Sequence, residues 1–403
     1  MKQQRDEAQK HVNFIRYALV SLTVYRVRTI AVVFSLTTAV FLLGSIVFIA
    51  DGLSRDAVTA AQFAPDITVQ GMSAGRVAPF PLTYANNIAQ MTGVDRVVPR
   101  MWGYVLSNDS IYTIMGIDPE YIGLQGIPDY TISIGRYLKI GETREAVIGV
   151  YFAKSRNLVV NDTFELKGMS GMVSSTKSFR VVGIFSSAVS LYTSDLILLN
   201  KYEAQEILLL ARAASATDLC VYIKNPGWTK LVADSITKTY PELRVLTRQA
   251  IIDATETTYG LRGGFATVIW FILLATVVLI AWNQASTVGQ DSKREVGILK
   301  TLGFSTLDIL EIRLIEAVTL GFLSASVGVF LAIFYDAYLN APFLRDFMLG
   351  WSASLPAFAL PIEVSSSRLL ILYAVAVFPL LLGSLIPAWL SAITEPDTVL
   401  RGS

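Results

Sequence analysis

Four long runs of apolar residues constrain this chain more than anything else in it. Ile30–Ala50, Phe265–Trp282, Ala317–Tyr335 and Leu369–Ile393 extend for 21, 18, 19 and 25 residues without a single charge. At 1.5 Å rise per residue, about 20 helical residues cover the roughly 30 Å hydrocarbon core of a bilayer. None of the runs alternates with period 2, so they read as helices and not as barrel strands. Only 16% of the residues are charged, against about 25% in soluble domains. The expected fold is therefore an α-helical membrane protein with four transmembrane helices. A large mixed α/β extracytoplasmic domain is inserted between helices 1 and 2. The first run exceeds the roughly 7–15-residue core of a cleaved signal peptide, and 29 residues precede it, so it is read as a retained span.

Lys and Arg near the span ends set the orientation. Lys2, Arg5, Lys10, Arg16, Arg26 and Arg28 precede the first run, and Lys293, Arg294, Lys300 and Arg313 lie between the second and third. Only Arg345 and Arg368 lie between the third and fourth. Both termini are thus expected in the cytoplasm. The division that follows is a cytoplasmic amphipathic N-terminal helix (1–29), a first span (30–50), an outside domain with stalks (51–264) and a second span (265–284). A cytoplasmic loop (285–312), a third span (313–336), an extracytoplasmic loop (337–368), a fourth span (369–393) and a cytoplasmic tail (394–403) complete it.

Composition removes several function classes. Lys+Arg (33) and Asp+Glu (32) nearly cancel, so there is no basic excess to follow a phosphate backbone and no nucleic-acid partner is expected. One cysteine, Cys220, and one histidine, His11, argue against a disulfide framework, a zinc site, haem ligation and a Ser–His–Asp triad. No catalytic residue, metal or cofactor is assigned. Cys220 reads as an inert core thiol and His11 as a solvated residue.

The outside segment, about 210 residues long, has strand patterns at Asp66–Gly71, Val94–Val105, Ile111–Ile117, Glu145–Gly149, Thr163–Lys167, Phe179–Phe185, Leu219–Lys224 and Leu243–Thr247. Helical patterns cover Pro81–Met91, Lys201–Ala211 (with Asn200 as N-cap) and Trp228–Tyr240. The flanks Asp51–Ala64 and Ile251–Leu261 read as helical continuations of the first two spans. Small residues in the spans, Gly321 and Gly328 among them, permit close helix approach. The sequence leaves open whether they pack within one protomer or at a seam between two.

Between the second and third spans, Val296, Leu299 and Leu302 fall at i, i+3 and i+6, near one face of a short helix. Gly303 suits the left-handed residue that closes a helix, and Ser305–Asp308 is an S-x-x-D start for the next one. On periodicity alone this stub serves equally as a plug for a groove on another protein or as an interfacial helix on lipid headgroups. Phe14–Ile30 reads as a second amphipathic helix on the inner leaflet. Glu316, early in the third span, is either a buried strut paired with Arg313 or with the N-terminal arginines, or a headgroup-level residue.

The segment Lys293-Arg294-Glu295-Val296-Gly297-Ile298-Leu299-Lys300-Thr301-Leu302-Gly303 resembles the R-E-x-G-I-L-K-A-L-G signature of the MacB/FtsX/LolC-like (FtsX-like) permeases of ABC transporters. Pro387-Ala388, Pro396 and Arg401 resemble the closing motif of the same family, and Glu316 matches a frequent family glutamate. Gly135-Arg136, Glu145–Gly149 and Phe179–Phe185 resemble its MacB-like periplasmic core. The resemblance implies a mechanotransmission permease in a bacterial inner membrane. Its outside domain would be split into a porter part (roughly 65–103 and 195–250) and an inserted part (roughly 104–194). It implies that Glu295, Val296, Gly297, Ile298, Leu299, Lys300, Leu302 and Gly303 dock a cytoplasmic ABC ATPase, with Leu299 and Leu302 as the apolar contacts. The chain itself contains no G-x-x-x-x-G-K-[ST] phosphate loop, so ATP would be bound by that partner. Further implied partners are a second copy or a paralogous permease, membrane lipids, a periplasmic adaptor and an outer-membrane channel. The implied activity is export of hydrophobic, lipid, lipoprotein or peptide-like cargo. The alternative is a non-transporting FtsX-like regulator of a periplasmic partner.

Overall fold

The computed structural model describes residues 2–108, 110–118, 130–139, 141–168, 176–187, 189, 195–208, 215–259, 267–279, 297–349 and 360–393. Contacts divide the chain into two compact units. One comprises Met1–Asp51, Gly264–Leu344 and Ile362–Ser403, the other Gly52–Gly263 and Arg345–Pro361.

The first unit is helical. α1 (Lys2–Val24) ends at a turn at Tyr25, and α2 (Arg26–Gln62) begins immediately after it. The expected single helix over Phe14–Ile30 is therefore two, and Arg26 and Arg28 belong to the start of the long apolar one. α2 also runs on well past the end of its apolar run, as the flank pattern implied. In the outside unit the short helices are α3 (Thr83–Ala89), α4 (Val150–Arg156), α5 (Lys201–Ile207), α6 (Thr229–Thr239) and α7 (Arg248–Tyr259). Back in the helical unit, α8 covers Thr267–Leu279 and α9 covers 297–301. α10 (Thr306–Tyr338) starts before the expected third span. The short α11 (Pro342–Leu349) and α12 (Ser366–Ile393) complete the set. Among the described residues, three helices are long and apolar enough to cross a membrane: α2, α10 and the Ser366–Leu385 part of α12.

α2 and α10 run parallel. Gly328 of α10 meets Val40 and Thr37, and Ala332 meets Gly44. The rings of Tyr335 and Phe41 make an edge contact with centroids 5.3 Å apart. α12 runs antiparallel to both: Gly321 meets Val377, Tyr373 shares a 2.9 Å hydrogen bond with Ser326, and Arg368 reaches Asp51. The glycines that the sequence left ambiguous thus pack inside one protomer. Gly44 lies where the three helices converge, with Ala332 on one side and Leu372 on the other.

The outside unit is built on an 11-stranded mixed sheet in the order β13-β1-β12-β4-β5-β10-β7-β9-β6. These strands are β1 (Ile67–Ser73), β4 (Val94–Ser107), β5 (Ser110–Ile117), β6 (Tyr130–Gly135), β7 (Glu145–Gly149), β9 (Thr176–Ser187), β10 (Leu196–Asn200), β12 (Asp218–Ile223) and β13 (Leu243–Thr247). Short β2 (Arg76–Val77) pairs with β1, and β8 (Thr163–Gly168) pairs with β4 and β9. β3 (Phe80–Pro81) and β11 (Ser215–Ala216) form a separate ribbon.

β4 is long enough to serve two halves. Its first part pairs with β12 (Arg100 opposite Asp218), and its second part pairs with β5 (Met101 opposite Gly116). One core gathers Ile67, Val69, Ile88, Leu219, Val232 and Ile236. The other half has a core on each face of its sheet, and β10 feeds both. Ile197 and Leu199 join Ile148, Phe152 and Phe179, while Leu196 and Leu198 join Met115, Val147 and Phe185.

This moves a boundary. The sequence reading placed 195–250 with the porter half, yet β10 pairs with β5 and β7, and α5 buries Ala204 and Ile207 in the core of the inserted half. A five-residue strand buried on both faces favours an unbroken apolar run over alternation, so it carried no strand signal. Asn200 does cap α5, its side-chain oxygen accepting from the Tyr202 amide at 3.4 Å. Where the halves of β4 meet, the fully buried Asp218 accepts from Arg100 Nε (2.8 Å), Arg100 Nη2 (2.6 Å) and Trp102 Nε1 (2.9 Å). Cys220 lies buried two residues on, its thiol pushed up to about 11 by loss of solvent.

Candidate functional site

The stub between α9 and α10 is fixed by its own backbone. Gly303 adopts φ +90°. Its amide donates to Lys300 O at 3.0 Å, and the Phe304 amide donates to Leu299 O at 3.1 Å. This paired arrangement closes a helix whose last residue turns left-handed, and it brings the residue after the glycine back over the last turn. Phe304 accordingly packs on Leu299 together with Ile309. Ser305 then starts α10 with a reciprocal cap: the Asp308 amide donates to Ser305 Oγ (3.2 Å), and the Ser305 amide donates to Asp308 Oδ2 (2.9 Å). The end of one helix and the start of the next share a single rigid corner.

That corner corrects one assignment. Leu299, expected as a docking contact, is 5% exposed and committed to the chain's own cluster. The apolar side chains left outward are Ile298 (53% exposed), Leu302 (70%) and Leu307 (76%). Ile298 and Leu302 are four residues apart and share a helix face. The i, i+3, i+6 reading failed because the left-handed turn at Gly303 turns Phe304 onto the Leu299 side. Lys300 lies on the same stub, whereas Glu295 and Val296 fall outside the described residues.

α1 braces the corner. Phe14 and Ala18 are buried against Ile312, with Phe304 and Ile315 beside them. Lys10 Nζ is 2.7 Å from Asp308, and His11 Nδ1 is 2.5 Å from Glu311. His11 is therefore paired instead of merely solvated. Exposed ion pairs of this sort contribute about 0–1 kcal/mol each, so the buried Phe14 face holds α1 in place. Nothing in the spacing of residues 300 positions apart could have revealed these pairs.

Deeper in the bundle, Arg313 Nη1 donates to Glu316 Oε2 at 2.7 Å, one helical turn away and nearly buried. Glu316 does have a cationic partner, as the strut reading required. The pair lines a cavity of about 70 Å³ with Ser21, Tyr25, Gly383 and Ser384. Pro387 and Ala388 lie within α12, while Pro396 and Arg401 lie outside the described residues. No cluster of three or more metal-ligating side chains occurs among the described residues.

Residues 267–396 match the profile of the FtsX-like permease C-terminal domain, and residues 29–238 match that of the MacB-like periplasmic core domain. This chain belongs to the MacB/FtsX-like family of ABC transporter permeases. The assignment unites the helical unit and the external sheet in one protein, and the rigid corner lies within the permease domain. This FtsX-like permease is 25% identical over 221 residues to an uncharacterized ABC transporter permease of Methanocaldococcus jannaschii. The match covers 53% of each chain, so the chain spans about half the length of that relative. Among solved structures, the periplasmic region of MacB from Actinobacillus actinomycetemcomitans overlays with TM-score 0.33 and 13% identity. That overlay covers 48% of this chain and 92% of the other. The extracellular domain of the noncanonic ABC-type transporter YknZ from Gram-positive bacteria gives 0.32 and 12%, covering 45% and 99%. Overlays at that level carry no information on activity or partners.

Proposed function

We propose that this chain is the transmembrane subunit of a mechanotransmission ABC transporter. It couples ATP hydrolysis by a separate cytoplasmic ATPase to movement of its external domain and to extrusion of hydrophobic, lipid, lipoprotein or peptide-like cargo. One observation carries the reading: the outward-facing Ile298, Leu302 and Leu307 are mounted on a corner fixed by two backbone bonds, a reciprocal cap and the α1 brace. A lipid-lying helix gains nothing from such rigidity, whereas a lever must not bend where it is pushed. The corner continues without interruption into α10, whose 33 residues extend about 50 Å.

The parallel course of α2 and α10 supports the topology. Two parallel crossings in one chain need a return crossing between them, and α8 is the apolar helix described in that interval. The reading is a four-span protein with its external domain between the first two spans, both termini cytoplasmic, and a second permease copy completing the complex. ATP closure of the ATPase shifts the permease only by as much as the two ATPase states differ in affinity for its two arrangements.

The test is co-purification of the cognate ATPase with the full-length permease in nanodiscs. Ile298→Asp combined with Leu302→Asp places two charges on the docking face without touching the chain's own cluster. The ATPase should be lost while the permease stays inserted and folded. Retention of the ATPase at the wild-type ratio removes the coupling assignment.

A further inference from the structure

The helical unit contains an acid that neither the lever nor its brace uses. Asp336, on the last full turn of α10, is 1% exposed, and neither carboxylate oxygen has a hydrogen-bond partner. Facing it from α2 is Ser45, fully buried, whose hydroxyl also lacks a partner. Four other acids of this unit are paired with basic side chains. Asp51 takes two bonds from Arg368, at 2.6 and 2.8 Å. Asp308 meets Lys10, Glu311 meets His11 and Glu316 meets Arg313. The cation that α12 carries at this end of the bundle, Arg368, is thus committed to Asp51. α2 faces Asp336 with a hydroxyl and not with a charge.

An ionised carboxylate enclosed without a cation and met by a single hydroxyl is costly, since its charge and its second oxygen stay uncompensated, and an acid of this kind in a spanning helix is held by whatever neutralises it. Two neutralising ligands are available, a metal ion or a proton. A bound metal cation of the hard, oxygen-seeking kind takes about six oxygens, and here the side chains supply two from Asp336 and one from Ser45. Space argues the same way: a β-carbon on Gly44, one residue before Ser45, would stand 3.2 Å from the Ala332 β-carbon. Helices this close leave no room for a hydrated ion. A proton needs one oxygen and no volume. Once protonated, Asp336 becomes a donor for Ser45 Oγ, and the Ser45 hydroxyl is freed to donate in turn, so both orphaned groups are satisfied together.

We propose that Asp336 is a proton-binding site in the membrane-spanning unit, where a proton shared with Ser45 holds α2 against α10. Release of that proton leaves a bare charge between the two helices and drives them apart. The site therefore responds to the proton activity of the compartment that reaches this end of the bundle. It stands independently of ATPase docking, since neither residue lies in the corner or its brace.

The test is infrared spectroscopy of the full chain in nanodiscs, without ATPase, at about pH 7, where an ordinary carboxyl is ionised. The carbonyl stretch of a protonated carboxylic acid should be present in the wild type and lost in Asp336→Asn, which keeps shape and neutrality. In Ser45→Ala the band should persist at a shifted frequency, which assigns it to the acid beside Ser45 even if the asparagine variant is poorly made. Absence of the band in the wild type at that pH overturns the proposal, as does a band unchanged by both substitutions. Replacing choline by sodium at constant pH should leave the band intact, and its disappearance would make a metal cation the occupant and overturn the proton site.

Discussion

Gly328 offers the sharpest test of how the bundle is held. A β-carbon at this position would stand 2.9 Å from both Cβ and Cγ1 of Val40, and 3.0 Å from the Thr37 carbonyl oxygen. Carbon atoms in contact sit about 3.5–4.0 Å apart, so alanine at 328 must push α10 and α2 apart by roughly 0.6–1 Å. Close-packed interiors do not absorb such a shift locally, and overpacking typically costs about 1–3 kcal/mol. Alanine in a helix is otherwise better than glycine by about 0.5–1 kcal/mol, so Gly328→Ala should lose about 1–2 kcal/mol net. Gly297 is the internal control: it is helical with nothing within 4 Å of its added carbon, and Gly297→Ala should be neutral or slightly stabilising. Val40→Ala removes Cγ1 from the clash, so the cost of Gly328→Ala should fall by at least about 0.5 kcal/mol in that background. Denaturant unfolding of the detergent-purified chain, followed by tryptophan fluorescence, reads wild type, the three single variants and the double variant. A Gly328→Ala protein as stable as wild type would refute the packing argument. A loss that grows on dilution and ignores Val40 would place Gly328 at a seam between protomers instead.

Two further outcomes follow from the geometry. Leu299→Ala should cost about 2 kcal/mol of local stability, by opening a gap beside Phe304 and Ile309. It should raise amide exchange across 297–310, whereas Leu302→Ala should leave exchange there unchanged. Asp195, which accepts from the Thr113 hydroxyl at 2.8 Å, is pushed up to about 6 by burial. Because the folded value lies above the unfolded one, its stabilising contribution is complete below about pH 4 and is lost as pH rises through about 6. Asp195→Asn should therefore match wild type in acid and exceed it by about 3 kcal/mol above pH ~7, measured by unfolding at each pH; equal stability at both ends would contradict the assignment.

What the chain discloses in advance depends on whether the signal is local. The capping box at Ser305–Asp308 and the Asn200 cap are contacts between residues two or three apart, and both were readable. So were Glu145–Gly149 and Leu243–Thr247, whose strand boundaries match the pattern residue for residue. β10 was missed because burial on both faces erases alternation, which is the signal used to recognise a strand. Leu299 was misassigned because period alone cannot tell that a left-handed turn folds the following residue back onto the helix. The α1 brace and the Asp336–Ser45 meeting depend on residues about 300 positions apart, where a single sequence is silent.

The same contacts explain why a push on the corner need not dissipate on its way through the bundle. A helix transmits displacement along its axis well, but passes it sideways only where side chains cannot rearrange. At Gly328 and Gly44, α10 and α2 meet without a flexible side chain on the glycine to absorb a shift. On the proposed reading, the corner drives α10, and α2 follows because those glycines leave it no slack. The grip fails first where the contact carries a polar group whose neutrality depends on solvent. Asp336 lies at that place, beyond Gly44 along the shared seam. On the proposed reading, a proton there would set whether α10 carries α2 with it or slides past, at the end of α10 farthest from the Ile298–Leu302 face.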